Sequence, residues 1–296
     1  MAEAVTERAP AKLNPYLRVL RRRDDGFHDV ETIVLPLDLA DTVSVRVSAE
    51  RRVTLRATGP RGYEVPAGEH NLVVRAANSF AAAIREGRGA DITLEKHVPV
   101  AAGLGGGSSD AAATLRALDR VWGAGVGMDR LLEIAARVGS DVPAMVVGRP
   151  VVATGRGDVV APVEARPTWW VLVTFDAGIR ARDAYGWWDR GLVRRLRRQP
   201  PIGPALRALS AGDLQGLGGA MFNALEPGIL RRHPSVAAAR RALLEGGPPH
   251  EQARGGGALG VIVSGSGPTV VGLCRDREHA DRLARALGGI ATRSPA

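Results

Sequence analysis

The run Pro99-Val-Ala-Ala-Gly-Leu-Gly-Gly-Gly-Ser-Ser-Asp-Ala-Ala-Ala113 constrains this 296-residue chain more than any other stretch, because it joins a flexible backbone to a helix-forming one. Glycines at 103, 105, 106 and 107 free the main chain to turn and to bring its N–H groups against an anion with no Cβ in the way. Ser108 or Ser109 can cap the helix that the alanines begin, and the first amides of that helix add positive potential at the same place. The run reads as a phosphate cradle. The plain alternative is a glycine-rich turn before a helix, but four glycines within five positions cost more chain entropy than such a turn requires.

Two familiar phosphate loops are excluded. A Walker A loop ends in Gly-Lys-Ser/Thr, and here Gly107 runs directly into Ser108. The dinucleotide fingerprint needs a third glycine at its sixth position, where this chain has Ser108. The loop instead follows Asp91-Ile-Thr-Leu-Glu-Lys96, whose alternation reads as a strand.

The length suits two medium domains or one large one, and 45% hydrophobic with 24% charged residues is the balance of a soluble globular protein. No apolar run approaches the roughly 20 residues of a membrane span. The first residues carry acidic groups and no apolar core, unlike a signal peptide. The single cysteine, Cys274, has no intrachain partner; together these point to the cytoplasm, with no membrane partner. A net charge of +9 raises nucleic-acid binding, but the arginines are scattered and only 4% of residues are aromatic, so none is expected. A protein acting on phosphorylated small molecules accounts for the same charge. Of 40 Lys and Arg residues only Lys12 and Lys96 are lysine, which suggests two places where a compact ammonium is wanted, with chance survival the plain alternative.

Along the chain, a strand broken by Pro15 is expected over 11–20, with strands over 31–39 and 42–47, and a helix over 71–84. After the glycine loop come helices over 109–122 and 128–138, the latter closed by Gly139, and a further helix beginning near Ser140-Asp-Val-Pro143. Strands follow at 151–154 and 169–175, a surface loop or short helix at 190–204, and an insertion at 248–257. A strand at 259–263 feeds Ser264-Gly-Ser-Gly-Pro-Thr269, then a strand at 270–273 and a closing helix at 278–287.

Pro10-Ala-Lys-Leu-Asn14, Gly103-Leu-Gly-Gly-Gly-Ser-Ser-Asp110 and Ser264-Gly-Ser-Gly-Pro-Thr269, in that order, resemble the motifs of the GHMP small-molecule kinases. Arg23-Asp-Asp-Gly-Phe-His28, Asn71-Leu, Gly139-Ser-Asp-Val-Pro143 and Phe222-Asn-Ala-Leu-Glu226 narrow the resemblance to a branch that phosphorylates a cytidine-diphosphate sugar alcohol. The resemblance spans residues 10 to about 273. It implies an α+β fold of two domains: a ribosomal-protein-S5-like ATP-binding domain over 1–158 and a ferredoxin-like α/β-plait substrate domain over 159–296, with the active site in the cleft between them. A homoserine or mevalonate kinase would share the loop without needing the Asp-Gly-Phe-His segment, and a basic RNA-binding protein is the reading from another class.

The same resemblance assigns roles. Asp141 orients or deprotonates the substrate hydroxyl, and Lys12 holds Asp141 ionised and stabilises the transferring phosphoryl group. Pro99, Val100, Ala101, Ala102, Gly103, Leu104, Gly105, Gly106, Gly107, Ser108 and Ser109 hold the phosphates of ATP, the co-substrate, which brings Mg²⁺ with it. Two readings stand for Lys96, a nucleotide contact or a solvated strand edge, and two for Asn71, a nucleotide contact or a helix cap. Ser108 either ligates Mg²⁺ or a phosphate, or caps. Asn14 lies near the alcohol's hydroxyls; His28 reads the cytosine edge, with Phe27 and Tyr185 stacking, although a buried structural role fits these rings too. Gly265, Ser266 and Gly267 approach the substrate diphosphate. The expected state is a monomer or weak homodimer.

Overall fold

The computed structural model describes residues 4–66, 68–85, 88–191, 199–247 and 256–296. The expected features at 192–198 and 248–255 lie outside them.

The first lobe is built on a long antiparallel pair, β1 (Val5–Arg22) and β2 (His28–Ser48). Pro15 does not break β1. It sits at a register shift between Leu13 and Tyr16, where a residue without an N–H costs the ladder no hydrogen bond. The two strands expected over 31–47 are likewise one, because Asp38 to Asp41 stay paired with β1 or bridge its bulge. β3 (Val53–Thr58), β4 (Gly89–Glu95), β5 (Val151–Thr154) and β6 (Val159–Pro162) complete this side, in the order β3-β4-β2-β1 with β5 on β2 and β6 on β5. The expected domain division at 158/159 falls immediately before β6.

Helices α1 (Leu72–Ile84), α2 (Gly106–Trp122), α3 (Gly127–Val138) and α4 (Val142–Val147) cover one face of the sheet. Phe80, Leu115, Leu118 and Ile134 project from them onto Val43, Val45, Ile92 and Leu94, whose alternation in the strands supplies the opposing apolar face. Gly139 ends α3 in an extended conformation, not the left-handed one its type suggested.

The second lobe holds β7 (Thr168–Val173), α5 (Ala181–Arg190), α6 (Gly203–Ala211), α7 (Leu214–Ala220), β8 (Phe222–Asn223), α8 (Glu226–Arg232), α9 (Pro234–Glu245), β9 (Gly260–Val263), β10 (Val270–Cys274), α10 (Arg277–Leu287) and β11 (Ile290–Ser294). Its sheet order, β11-β7-β10-β9, is that of the ferredoxin-like split βαβ arrangement. β8 leaves this lobe and pairs in parallel with β1 at Tyr16 and Leu17. A shared core of Leu13, Tyr16, Ile33, Leu35, Leu104, Trp170, Leu172 and Ile262 then joins the two sheets. The glycine loop contributes Leu104 and Ala102 to that core, so its position depends on both lobes.

Candidate active site

Lys12 and Asn14 stand two residues apart on β1 and share a face. The Lys12 ammonium donates to Asn14 Oδ1 at 2.7 Å and to the Gly103 carbonyl at 3.1 Å, and lies 3.7 Å from Asp141 Oδ2. Asn14 in turn donates to Thr32 Oγ1 and the Ile33 carbonyl, which fixes the orientation it offers to Lys12. Lys12 is buried, while the Asp141 side chain is 48% exposed. A held ammonium therefore stands beside a carboxylate that an incoming group can reach. Asp141 occupies the N-cap position of α4 but accepts no capping hydrogen bond, so its oxygens stay available.

Glycine is required where the loop passes this pair. Gly105 has φ of +67°, and a Cβ on it would lie 2.7 Å from Lys12 Cγ. Gly103, at φ +79°, would put a Cβ 2.6 Å from the Ser264 carbonyl, so the two small-residue loops rest backbone to backbone. α2 begins at Gly106, inside the glycine run, with Gly105 as its N-cap; neither Ser108 nor Ser109 caps it. No side chain caps it at all, so the first amides of a 17-residue helix keep their hydrogens and their dipole for a ligand. Gly103, Gly105 and Ser108 line the cleft, whereas Ala102, Leu104 and Ser109 are buried and Pro99, Val100, Ala101, Gly106 and Gly107 are not among its lining residues.

Lys96 fits neither expectation. It is buried between Asp41 (2.5 Å) and Asp110 (2.7 Å), beneath the loop. Asp41 also accepts from the amides of His97 and Val98 through its other oxygen, tying the chain that leads into the loop back to β2. Burial pushes the Asp110 carboxyl up to about 7 against the pull of Lys96. Asn71 is the N-cap of α1, accepting from the Val73 amide and donating to the Pro66 carbonyl; it does not line the cleft.

The second loop is held by Asn223, whose role the sequence did not reveal. Its amide donates to the carbonyls of Val263 and Gly265, both at 2.8 Å, and its oxygen accepts from the Leu225 amide. Gly265 and Ser266 reach the cleft, while Gly267 packs against Gly103 instead. Glu226, from the same Phe-Asn-Ala-Leu-Glu motif, accepts from the Val263 amide and from Arg240.

The cleft has a volume of about 870 Å³, at the upper end of the range for small-molecule sites. At its far end Phe27 is 48% exposed at the tip of the β1–β2 turn, with the Arg156 guanidinium 5.0 Å from its ring centre. His28 is buried and stacks on Tyr185, with centroids 4.8 Å apart. Burial, and to a lesser degree the Asp141 charge, raises the Tyr185 hydroxyl, which stays protonated. Arg22, Arg156, Arg182 and Arg190 line the same end. Sequence reading missed them, because in a chain so rich in arginine no single one stands out. No helix among the described residues is long and apolar enough to cross a membrane.

Comparison with known proteins agrees with this geometry. Residues 71–149 match the model of the GHMP kinases N terminal domain, and residues 205–290 that of the GHMP kinases C terminal domain. The chain is 40% identical to a 4-diphosphocytidyl-2-C-methyl-D-erythritol kinase from Nocardioides sp., over 95% of this chain and 92% of that protein. The kinase of the same name from Streptomyces avermitilis is also 40% identical, over 96% and 92%. A crystal structure of 4-(cytidine 5'-diphospho)-2C-methyl-D-erythritol kinase superposes with a TM-score of 0.78 at 31% identity, covering 99% of this chain and 100% of that one. A homoserine kinase from Cytophaga hutchinsonii shares the fold, with a TM-score of 0.70 at 18% identity over 100% of this chain and 96% of that one.

Proposed function

The chain belongs to the GHMP kinases, in the family of 4-diphosphocytidyl-2-C-methyl-D-erythritol kinases, and from that premise we propose how its residues divide the work. It is an ATP-dependent kinase that phosphorylates the 2-hydroxyl of 4-diphosphocytidyl-2-C-methyl-D-erythritol, giving the 2-phosphate and ADP, on the non-mevalonate route to isoprenoid precursors. The observation that carries the division of roles is the uncapped start of α2 within reach of the Lys12–Asp141 pair.

The amides at the start of α2 and the Ser108 hydroxyl hold the triphosphate of ATP. Mg²⁺ would enter as the ATP complex, with the Ser108 hydroxyl, which lines the cleft, placed to hold it. Bound there, the ion would neutralise charge on the β- and γ-phosphates. Asp141 accepts the hydrogen of the attacking 2-hydroxyl, whose oxygen forms the new P–O bond as the bond to ADP breaks. Lys12, held by Asn14 beside Asp141, stabilises the charge spread over the transferring group. Phe27, His28 and Tyr185 take the cytidine, and the arginines around them offset its diphosphate.

Phosphorus NMR of the reaction mixture tests the reading. One new phosphomonoester, coupled to the methylerythritol, should appear with the signals of ADP. Inorganic phosphate without the ester, or AMP with pyrophosphate, would refute it.

A further inference from the structure

Helix α5 carries Tyr185, Trp188 and Asp189 at spacings of three and four residues, which puts them on one face. That face closes around His28. Tyr185 stacks on the imidazole, Trp188 meets it edge-on with centroids 5.7 Å apart, and Asp189 Oδ1 lies 3.0 Å from Nε2. The other Asp189 oxygen is 3.9 Å from Arg22 Nε. A ring gripped from three sides keeps one orientation.

It also keeps one proton position. A carboxylate oxygen accepts, so in the neutral ring the shared hydrogen sits on Nε2 and a lone pair is left on Nδ1. No group among the described residues bonds Nδ1, the atom is not sealed from solvent, and His28 lines the cleft. The nucleobase end of the cleft thus presents a fixed acceptor. On the matching edge cytosine offers an amine donor, whereas uracil offers a carbonyl acceptor that would face Nδ1 lone pair to lone pair.

We propose that Asp189 is the positioning residue that makes this site select a cytidine over a uridine diphosphate, by fixing His28 with its hydrogen on Nε2. The selectivity rests on the kinase reading above, in which the cytidine half of the substrate occupies this end.

Two measurements test it. Long-range ¹H–¹⁵N correlation spectra of the intact protein, with the His28 signals identified by their loss in His28→Asn, should show the Nε2–H form near pH 8. In parallel, kcat/KM is compared for the cytidine substrate and its uridine-diphosphate counterpart. The native protein should prefer cytidine by about a hundredfold, and Asp189→Leu should reduce the preference below about tenfold, through a rise in KM for the cytidine substrate more than a fall in kcat. An undiminished preference in Asp189→Leu, or an Nδ1–H ring in an active native enzyme, would overturn the selectivity device alone. A native protein that turns over neither nucleotide would overturn the kinase reading and the selectivity together.

Discussion

At the scale of single residues, the proposed chemistry rests on two side chains, Lys12 and Asp141. The Lys12 ammonium is held by Asn14 and the Gly103 carbonyl at hydrogen-bond distance, whereas its separation from Asp141 is 3.7 Å. Lys12 is thus anchored by neutral groups and leaves Asp141 free to engage the substrate hydroxyl. Asp141→Asn should lower kcat by about a hundredfold or more while leaving the Kd for ATP within about threefold, since the carboxylate lies off the triphosphate cradle. Lys12→Met should lower kcat by a comparable factor. Stopped-flow turnover with nucleotide titration separates the two effects, and an Asp141→Asn enzyme of near-native kcat would remove Asp141 from the reaction. Lys12 was legible in the sequence because lysine is so rare in this chain. The grip that Asn14 has on it was not, since a hydrogen bond between neighbours on one strand face leaves no mark in composition.

At the scale of elements, the glycine loop rests on a buried Lys96 flanked by two carboxylates. Their side chains are at most 4% exposed, and Asp110 Oδ1 has no hydrogen-bond partner among the described residues. Burial raises the Asp110 carboxyl to about 7, above the roughly 4 of an unfolded Asp. Between those two pH values the folded protein holds a proton that the unfolded chain has released, so stability falls as pH rises from about 4 to about 7. Asp110→Asn should abolish that part of the slope and leave the protein on the order of 1–3 kcal/mol more stable than the native one at pH 8, relative to their difference at pH 4. Urea unfolding at the two pH values measures it; parallel slopes in both proteins would show that Asp110 is ionised throughout.

The loop, β4 and α2 were readable before the structure because glycine punctuation and local periodicity announce them. The brace beneath was not, because Asp41 lies 55 residues from Lys96 in the chain and only the fold brings them together. The same reason hid Asn223, which grips a loop 40 residues further on, and short strands such as β8 and β11, whose pairing partners lie in distant elements.

At the scale of the whole molecule, the two sheets share a core through Leu104 and Trp170, and β8 stitches the second lobe to the first. The cleft is therefore a fixed junction, with the phosphate cradle from one lobe resting on the Ser264–Thr269 loop of the other. Its far end is built from Phe27, His28 and Tyr185, where the proposed reading seats the cytidine. The net charge of +9 suits a site for two polyphosphates, and Arg22, Arg156, Arg182 and Arg190 line the cleft. The central claim is that this junction joins ATP to a cytidine-diphosphate alcohol. ADP release measured with Mg-ATP and, in turn, 4-diphosphocytidyl-2-C-methyl-D-erythritol, homoserine and mevalonate tests it most directly. Turnover with the first substrate, at least about a hundredfold above the other two in kcat/KM, is the predicted result; no turnover with it, or equal turnover with homoserine or mevalonate, would contradict the account.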